Sequence, residues 1–128
     1  MTKFDVLTTP AFEAQYEKLK KRYPKIDDDF ERFLDEVEIY GDLGEDIPKV
    51  IKDGNKVFKK RMKNTSAKKG LSGGFRIIEY LVTSENTVYL LDIYSKSDQE
   101  NIPKKKIIRL IRESNLTGRT YSSKSPQK

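Results

Sequence analysis

The stretch that decides the fold runs Gly74-Phe75-Arg76-Ile77-Ile78-Glu79-Tyr80-Leu81-Val82, then Thr83-Ser84-Glu85-Asn86, then Thr87-Val88-Tyr89-Leu90-Leu91-Asp92-Ile93-Tyr94-Ser95. Gly74 to Val82 reads as a strand, Ser84-Glu85-Asn86 as a turn and Thr87 to Ser95 as a second strand. So short a connection between two apolar, β-branched and aromatic runs makes an antiparallel hairpin.

Working outward from that hairpin, Val57 to Met62 reads as a preceding strand, and residues 63–72 as a polar, basic loop. Residues 41–54, with Gly41, Gly44, Pro48 and Gly54, read as an irregular connection. Ahead of it a helix is expected from about Ile26 to Tyr40, with Ile26, Phe30, Phe33, Leu34, Val37 and Tyr40 as its apolar face and Gly41 as its stop. Asp27, Asp28 and Asp29 fall in its first turn, where they complement the helix dipole. Thr9-Pro10 signals an earlier helix start, a hydroxyl cap followed by proline. Phe12, Tyr16, Leu19 and Tyr23 continue at helical spacing until Pro24. The break at Pro24 makes the two helices an antiparallel hairpin. Phe4 to Thr8 alternates and reads as a strand.

On the other side of the deciding stretch, Pro103 opens a last helix. Ile107, Ile108, Leu110 and Ile111 face inward and the helix ends near Asn115. Residues 1–114 are thus expected to form one domain, and 115–128 a flexible, polar tail. The expected order is β-α-α-β-β-β-α. This is an α+β fold: a mainly antiparallel sheet with a helical hairpin and a C-terminal helix, the helices packed on one face.

Composition narrows the chemistry. The 128 residues suit one domain, and 36% of them are charged against 35% apolar, so the core is modest. There is no cysteine and no histidine. Zinc-thiolate sites, thiol catalysis and histidine acid–base work are thereby excluded, and no metal or cofactor is expected. No apolar run approaches the ~20 residues of a membrane span, and a cytoplasmic protein is expected. The net charge of +6 is unevenly spread. Residues 1–54 hold 9 Lys/Arg and 14 Asp/Glu, whereas residues 55–128 hold 17 and 6. An acidic half followed by a basic half suggests one face made for a polyanion.

Between Lys56 and Arg76 stand eight basic residues and no acid. Strand alternation points Lys59, Arg61 and Lys63 one way, roughly 7 Å apart, and Phe58, Lys60 and Met62 toward the core. Arg76, on the next strand, joins the row if the register allows, and Lys96 lies just past the strand after that. Such a cluster suits RNA cleavage by 2′-hydroxyl attack on the adjacent phosphorus. Fixed arginines hold the charge that builds on the phosphoryl oxygens, and a lysine among other cations gives up its proton more readily and acts as base.

The segment Lys69-Gly70-Leu71-Ser72-Gly73-Gly74-Phe75-Arg76-Ile77-Ile78-Glu79-Tyr80, with Val88-Tyr89-Leu90-Leu91-Asp92-Ile93-Tyr94-Ser95-Lys96-Ser97-Asp98-Gln99-Glu100-Asn101-Ile102, resembles the HigB branch of the RelE toxin superfamily. The resemblance spans about residues 55–112, and residues 4–40 in element order. It implies a RelE-like fold and a toxin of a type II toxin–antitoxin pair that enters the ribosome and cuts mRNA. The cognate antitoxin would be of helix-turn-helix type, and the free toxin a monomer. On this resemblance Lys59, Arg61, Arg76 and Lys96 are the catalytic candidates, and Lys68 and Lys69, which match the loop's basic character, are RNA-contact candidates. Lys63, on the alternating row of β-strand cations, and Tyr80, whose ring offers a surface for base stacking, complete the RNA-contact set. The chain departs from the pattern at Leu71, where many relatives are basic, and at Ser97, where the better-known toxins carry arginine. Ile102-Pro103 stands where some members have a tyrosine, for which Tyr121 or Tyr80 would substitute. Two alternatives stay open: a ParE-like inhibitor of DNA gyrase, which needs no such cation set, and a plain basic RNA-binding module.

Overall fold

The computed structural model describes residues 2–116. Strand β1 (Asp5–Thr8) leads into helices α1 (Pro10–Arg22) and α2 (Ile26–Glu38). A two-residue strand β2 (Glu45–Asp46) follows, then β3 (Lys56–Met62), β4 (Phe75–Val82), β5 (Thr87–Ser95) and helix α3 (Lys104–Glu113). The fold is α+β. Its strands form one sheet in the order β1-β5-β4-β3-β2, with the β4–β5 hairpin at the centre. The pairing is antiparallel except at the edge, where β1 runs parallel to β5. The connection expected to be irregular therefore contains one short strand, Glu45 opposite Lys59 and Asp46 opposite Phe58.

Local chemistry places the helices. The Thr9 hydroxyl accepts from Phe12 N–H (3.2 Å) and donates to the Leu90 carbonyl (2.8 Å), so the cap of α1 is also its rivet to β5. Gly41, at φ +70°, ends α2, and its N–H donates to the Val37 carbonyl (3.1 Å). Because α2 stops at Glu38, Tyr40 falls off the apolar face. It is 75% exposed rather than inward as the spacing suggested.

The helices do not share one face of the sheet, as the sequence led us to expect. Phe12 and Leu19 of α1, with Ile26, Phe33 and Val37 of α2, pack with Phe75, Ile77 and Leu81 of β4. Ile107, Leu110 and Ile111 of α3 pack with Ile78, Tyr80 and Val82 on the opposite side. Every residue of β4 and β5 is buried as a result. This explains why the deciding stretch is apolar almost throughout: a strand covered on both faces has no solvent side to make polar. Each such large side chain adds roughly 1.5–3 kcal/mol of burial.

Strand β5 carries one extra residue. Ile78 pairs with Asp92 but Glu79 with Leu90, leaving Leu91 as a bulge. Leu91 packs in the cluster of α3, and the buried Asp92 faces Lys106 of α3 at 4.0 Å. The ordered core continues past the expected boundary at 114. Leu116 is buried against the α3 cluster, and its N–H donates to the Ile111 carbonyl (3.0 Å). Residues 117–128, most of the expected tail and Tyr121 with it, lie outside the described residues. Among the described residues no helix is long and apolar enough to cross a membrane.

Candidate nucleic-acid interface

The register settles which cations share a side. Arg61 stands directly opposite Arg76, and Lys59 opposite Ile78. Arg76 in turn stands opposite Tyr94. Arg61, Arg76 and Tyr94 thus form a row across three strands, on the sheet face that α3 covers at its other end. Lys60, between the two outward cations, turns to the α2 side. Its ammonium is buried and donates to Asp42 (3.0 Å), pairs with Glu36 (2.8 Å) and lies over the Phe33 ring. The expected split of β3 into Lys59/Arg61 and Phe58/Lys60/Met62 holds.

The two arginines are not equivalent. Arg61 is exposed. Arg76 is 4% exposed, and its guanidinium reaches back under its own loop. Nη1 donates to the carbonyls of Leu71 (3.0 Å) and Phe75 (3.2 Å), and Nη2 to that of Ser72 (2.9 Å). Burial, and next the like charge of Arg61, hold its pKa below the usual value. Arg76 is therefore a pin for the 71–72 loop that keeps a full charge beneath Arg61, and Arg61 is the member of the pair that meets solvent.

Segment 96–103 closes the site on the β5 side. Lys96 N–H donates to the Gly74 carbonyl (2.9 Å), extending the ladder past Ser95. The Lys96 ammonium lies 3.8 Å from the Glu100 carboxylate, and the Lys59 ammonium donates to Asn101 Oδ1 (3.2 Å). The lysine expected among cations thus has an acid beside it. Glu100 is close enough for its charge to act on both Arg76 and Tyr94. Tyr94 is buried, its hydroxyl has no hydrogen-bond partner among the described residues, and burial raises its pKa. Glu100 and Asn101 were not singled out in the sequence; only the fold of 96–103 brings them to β3.

The four catalytic candidates therefore gather around one end of one sheet face. The RNA-contact candidates do not. Lys63, one residue beyond β3, lines a recess against α2 with Asp29 and Glu36 instead of extending the Lys59–Arg61 row. Lys68, at φ +57°, and Lys69 are exposed on the 63–74 loop. Tyr80 is removed from the set. It is fully buried under α3, its hydroxyl donates to Asp53 (3.1 Å) and accepts from Asn55 (3.0 Å), and its pKa is pushed up to about 12, chiefly by burial. A base has no access to it.

The loop that carries Lys68 and Lys69 is tied down from below. The buried Asp29 carboxylate of α2 accepts from the Thr65 N–H (2.9 Å) and the Thr65 hydroxyl. Asn64 and Lys69 exchange backbone hydrogen bonds at 2.9 Å. The two glycines before β4 differ in need. A Cβ on Gly74 would lie 2.2 Å from the Met62 carbonyl oxygen, so only glycine fits where the loop crosses β3, whereas one on Gly73 would meet only the Lys69 side chain at 3.4 Å. Compared with known proteins, the chain matches no family model and no curated protein.

Proposed function

We propose that this chain is a RelE/HigB-like toxin acting in the cytoplasm, a ribosome-dependent endonuclease that cuts mRNA without a metal and is restrained by a cognate antitoxin of helix-turn-helix type. The observation that carries the reading is the opposition of Arg61 and Arg76 in the β3–β4 register. Like charges directly opposite one another cost stability in a sheet, and burial of Arg76 raises that cost. A phosphodiester against Arg61 relieves it. The α+β order of elements, broadly compatible with a RelE-like fold, and the Ser72-Gly73-Gly74-Phe75-Arg76 motif support the same assignment.

In this mechanism the 2′-oxygen bonds to phosphorus and the bond to the 5′-oxygen breaks, giving a 2′,3′-cyclic phosphate and a free 5′-hydroxyl. Arg61 holds the phosphoryl oxygens, with the charge of Arg76 behind it. Glu100 takes the 2′-proton, and Lys96 beside it protonates the leaving 5′-oxygen. Lys59, fixed by Asn101, aligns the strand.

Burial of Arg76 favours one second reading, a basic RNA-binding module that does not cut, because a guanidinium bound to carbonyls contacts no phosphate. Primer extension on translated mRNA separates the two. Wild type is expected to produce breaks within codons, and Arg61→Ala to lower the cleavage rate by about 10²–10³-fold while keeping its fold. Undiminished cleavage by Arg61→Ala removes the proposed clamp, and intact mRNA with wild type leaves the binding module.

A further inference from the structure

Helix α3 carries five cations and one acid between Lys104 and Glu113. Its apolar residues are committed to the sheet. Lys104, Lys105, Arg109 and Arg112 remain outside and exposed, with Glu113 alone opposing them, 3.7 Å from Arg109. Lys105 and Arg109 follow one another about 6 Å apart along an axis about 15 Å long.

Two further observations give this face a direction. First, α3 stands on the same side of the sheet as Arg61, and the Lys59–Asn101 hydrogen bond brings β3 to within two residues of Pro103, where the helix begins. The cationic helix is thus a wall beside the cationic end of β3, while α2, on the far side of the sheet, holds seven acids to one base. Second, the large apolar side chains exposed among the described residues are Leu7, Ile39, Tyr40 and Leu71, none of them on α3. A membrane surface asks for an inserted apolar face, and a protein interface for apolar anchors at its centre. Spaced cations without apolar anchors fit a phosphate backbone.

We propose that the outer face of α3 docks on the phosphate backbone of double-helical RNA and holds the protein beside the single strand presented at Arg61. The choice of RNA over DNA rests on the endonuclease reading above. The wide, shallow groove of an A-form helix offers two rows of phosphates to such a wall.

The test uses the full chain and K105Q/R109Q/R112Q, whose replaced side chains are all exposed. Binding to an RNA duplex of about 16 base pairs, to the DNA duplex of the same sequence and to phosphatidylserine vesicles is followed by anisotropy or co-sedimentation between about 50 and 200 mM salt. Wild type is expected to bind the RNA duplex most tightly. The variant, with an unchanged circular dichroism spectrum, is expected to bind it at least tenfold more weakly at the low-salt end, with a slope of log K against log salt shallower by about 2–3. An unchanged slope overturns the proposal, leaving a solvated helix face. Tighter binding of wild type to the DNA duplex or to the vesicles overturns it in favour of that partner. Failure of the nuclease reading shows separately, as uncut mRNA in the presence of wild type.

Discussion

At the scale of single residues, the cations were legible and their accessibility was not. Alternation alone put Lys59 and Arg61 on one side and Lys60 on the other, because a pleated strand allows no other arrangement. That Arg76 would turn beneath Leu71 and Ser72, or that Tyr80 would vanish under a helix, depends on which neighbours arrive later in the chain. Glu79 was equally hidden. It is fully buried on the α2 side, and neither carboxylate oxygen has a hydrogen-bond partner among the described residues. Burial holds its pKa well above the usual range, with Lys60 opposing and Asp42 reinforcing the shift. The native state keeps this proton where the unfolded chain has released it. Stability is therefore unaffected by this ionisation below the ordinary carboxyl range, and falls as pH rises from there toward the folded pKa. Glu79→Met is expected to be more stable than wild type by roughly 1–3 kcal/mol near pH 8. In urea titrations the gap should narrow toward pH 4. An equal gap at both pH values would mean that ionisation of Glu79 contributes nothing.

Elements were the most legible level. The β4 and β5 strands, the Thr9-Pro10 start of α1 and the Gly41 stop of α2 all follow from local chemistry, and all stand where expected to within two residues. β2 escaped notice because two residues carry no periodicity, and the parallel pairing of β1 because a strand's own sequence does not say which edge it will find. The 63–74 loop was readable as basic but not as anchored, since its anchor lies on α2. Asp29→Ala is expected to cost about 1–3 kcal/mol through the orphaned Thr65 N–H. It should also speed amide exchange across residues 64–69 without altering that of β5. Exchange in the loop as slow as in wild type would show that the Asn64–Lys69 pairing holds it unaided.

Across the whole molecule, the sequence announced an acidic half and a basic half, and the structure turns that division into two sides of one sheet, α2 on one and α3 on the other. What composition could not convey was that each helical layer has its own core, with β4 and β5 shared between them. Native-state hydrogen exchange should accordingly find the slowest amides in β4 and β5, opening only with global unfolding, and the fastest strand amides in β2. Early opening of β4 would contradict a shared central hairpin. The extra residue in β5 has a consequence for both layers at once. Strict two-residue periodicity from Val88 onward would send Tyr94 into the greasy layer beneath α1 and put Ile93 beside Arg76. Because Leu91 and Asp92 lean the same way, the strand changes phase midway, so Tyr94 comes to lie on the face that carries Arg61 and Arg76. One inserted amino acid thus decides that a phenol, instead of a hydrocarbon, lies next to the buried guanidinium of Arg76.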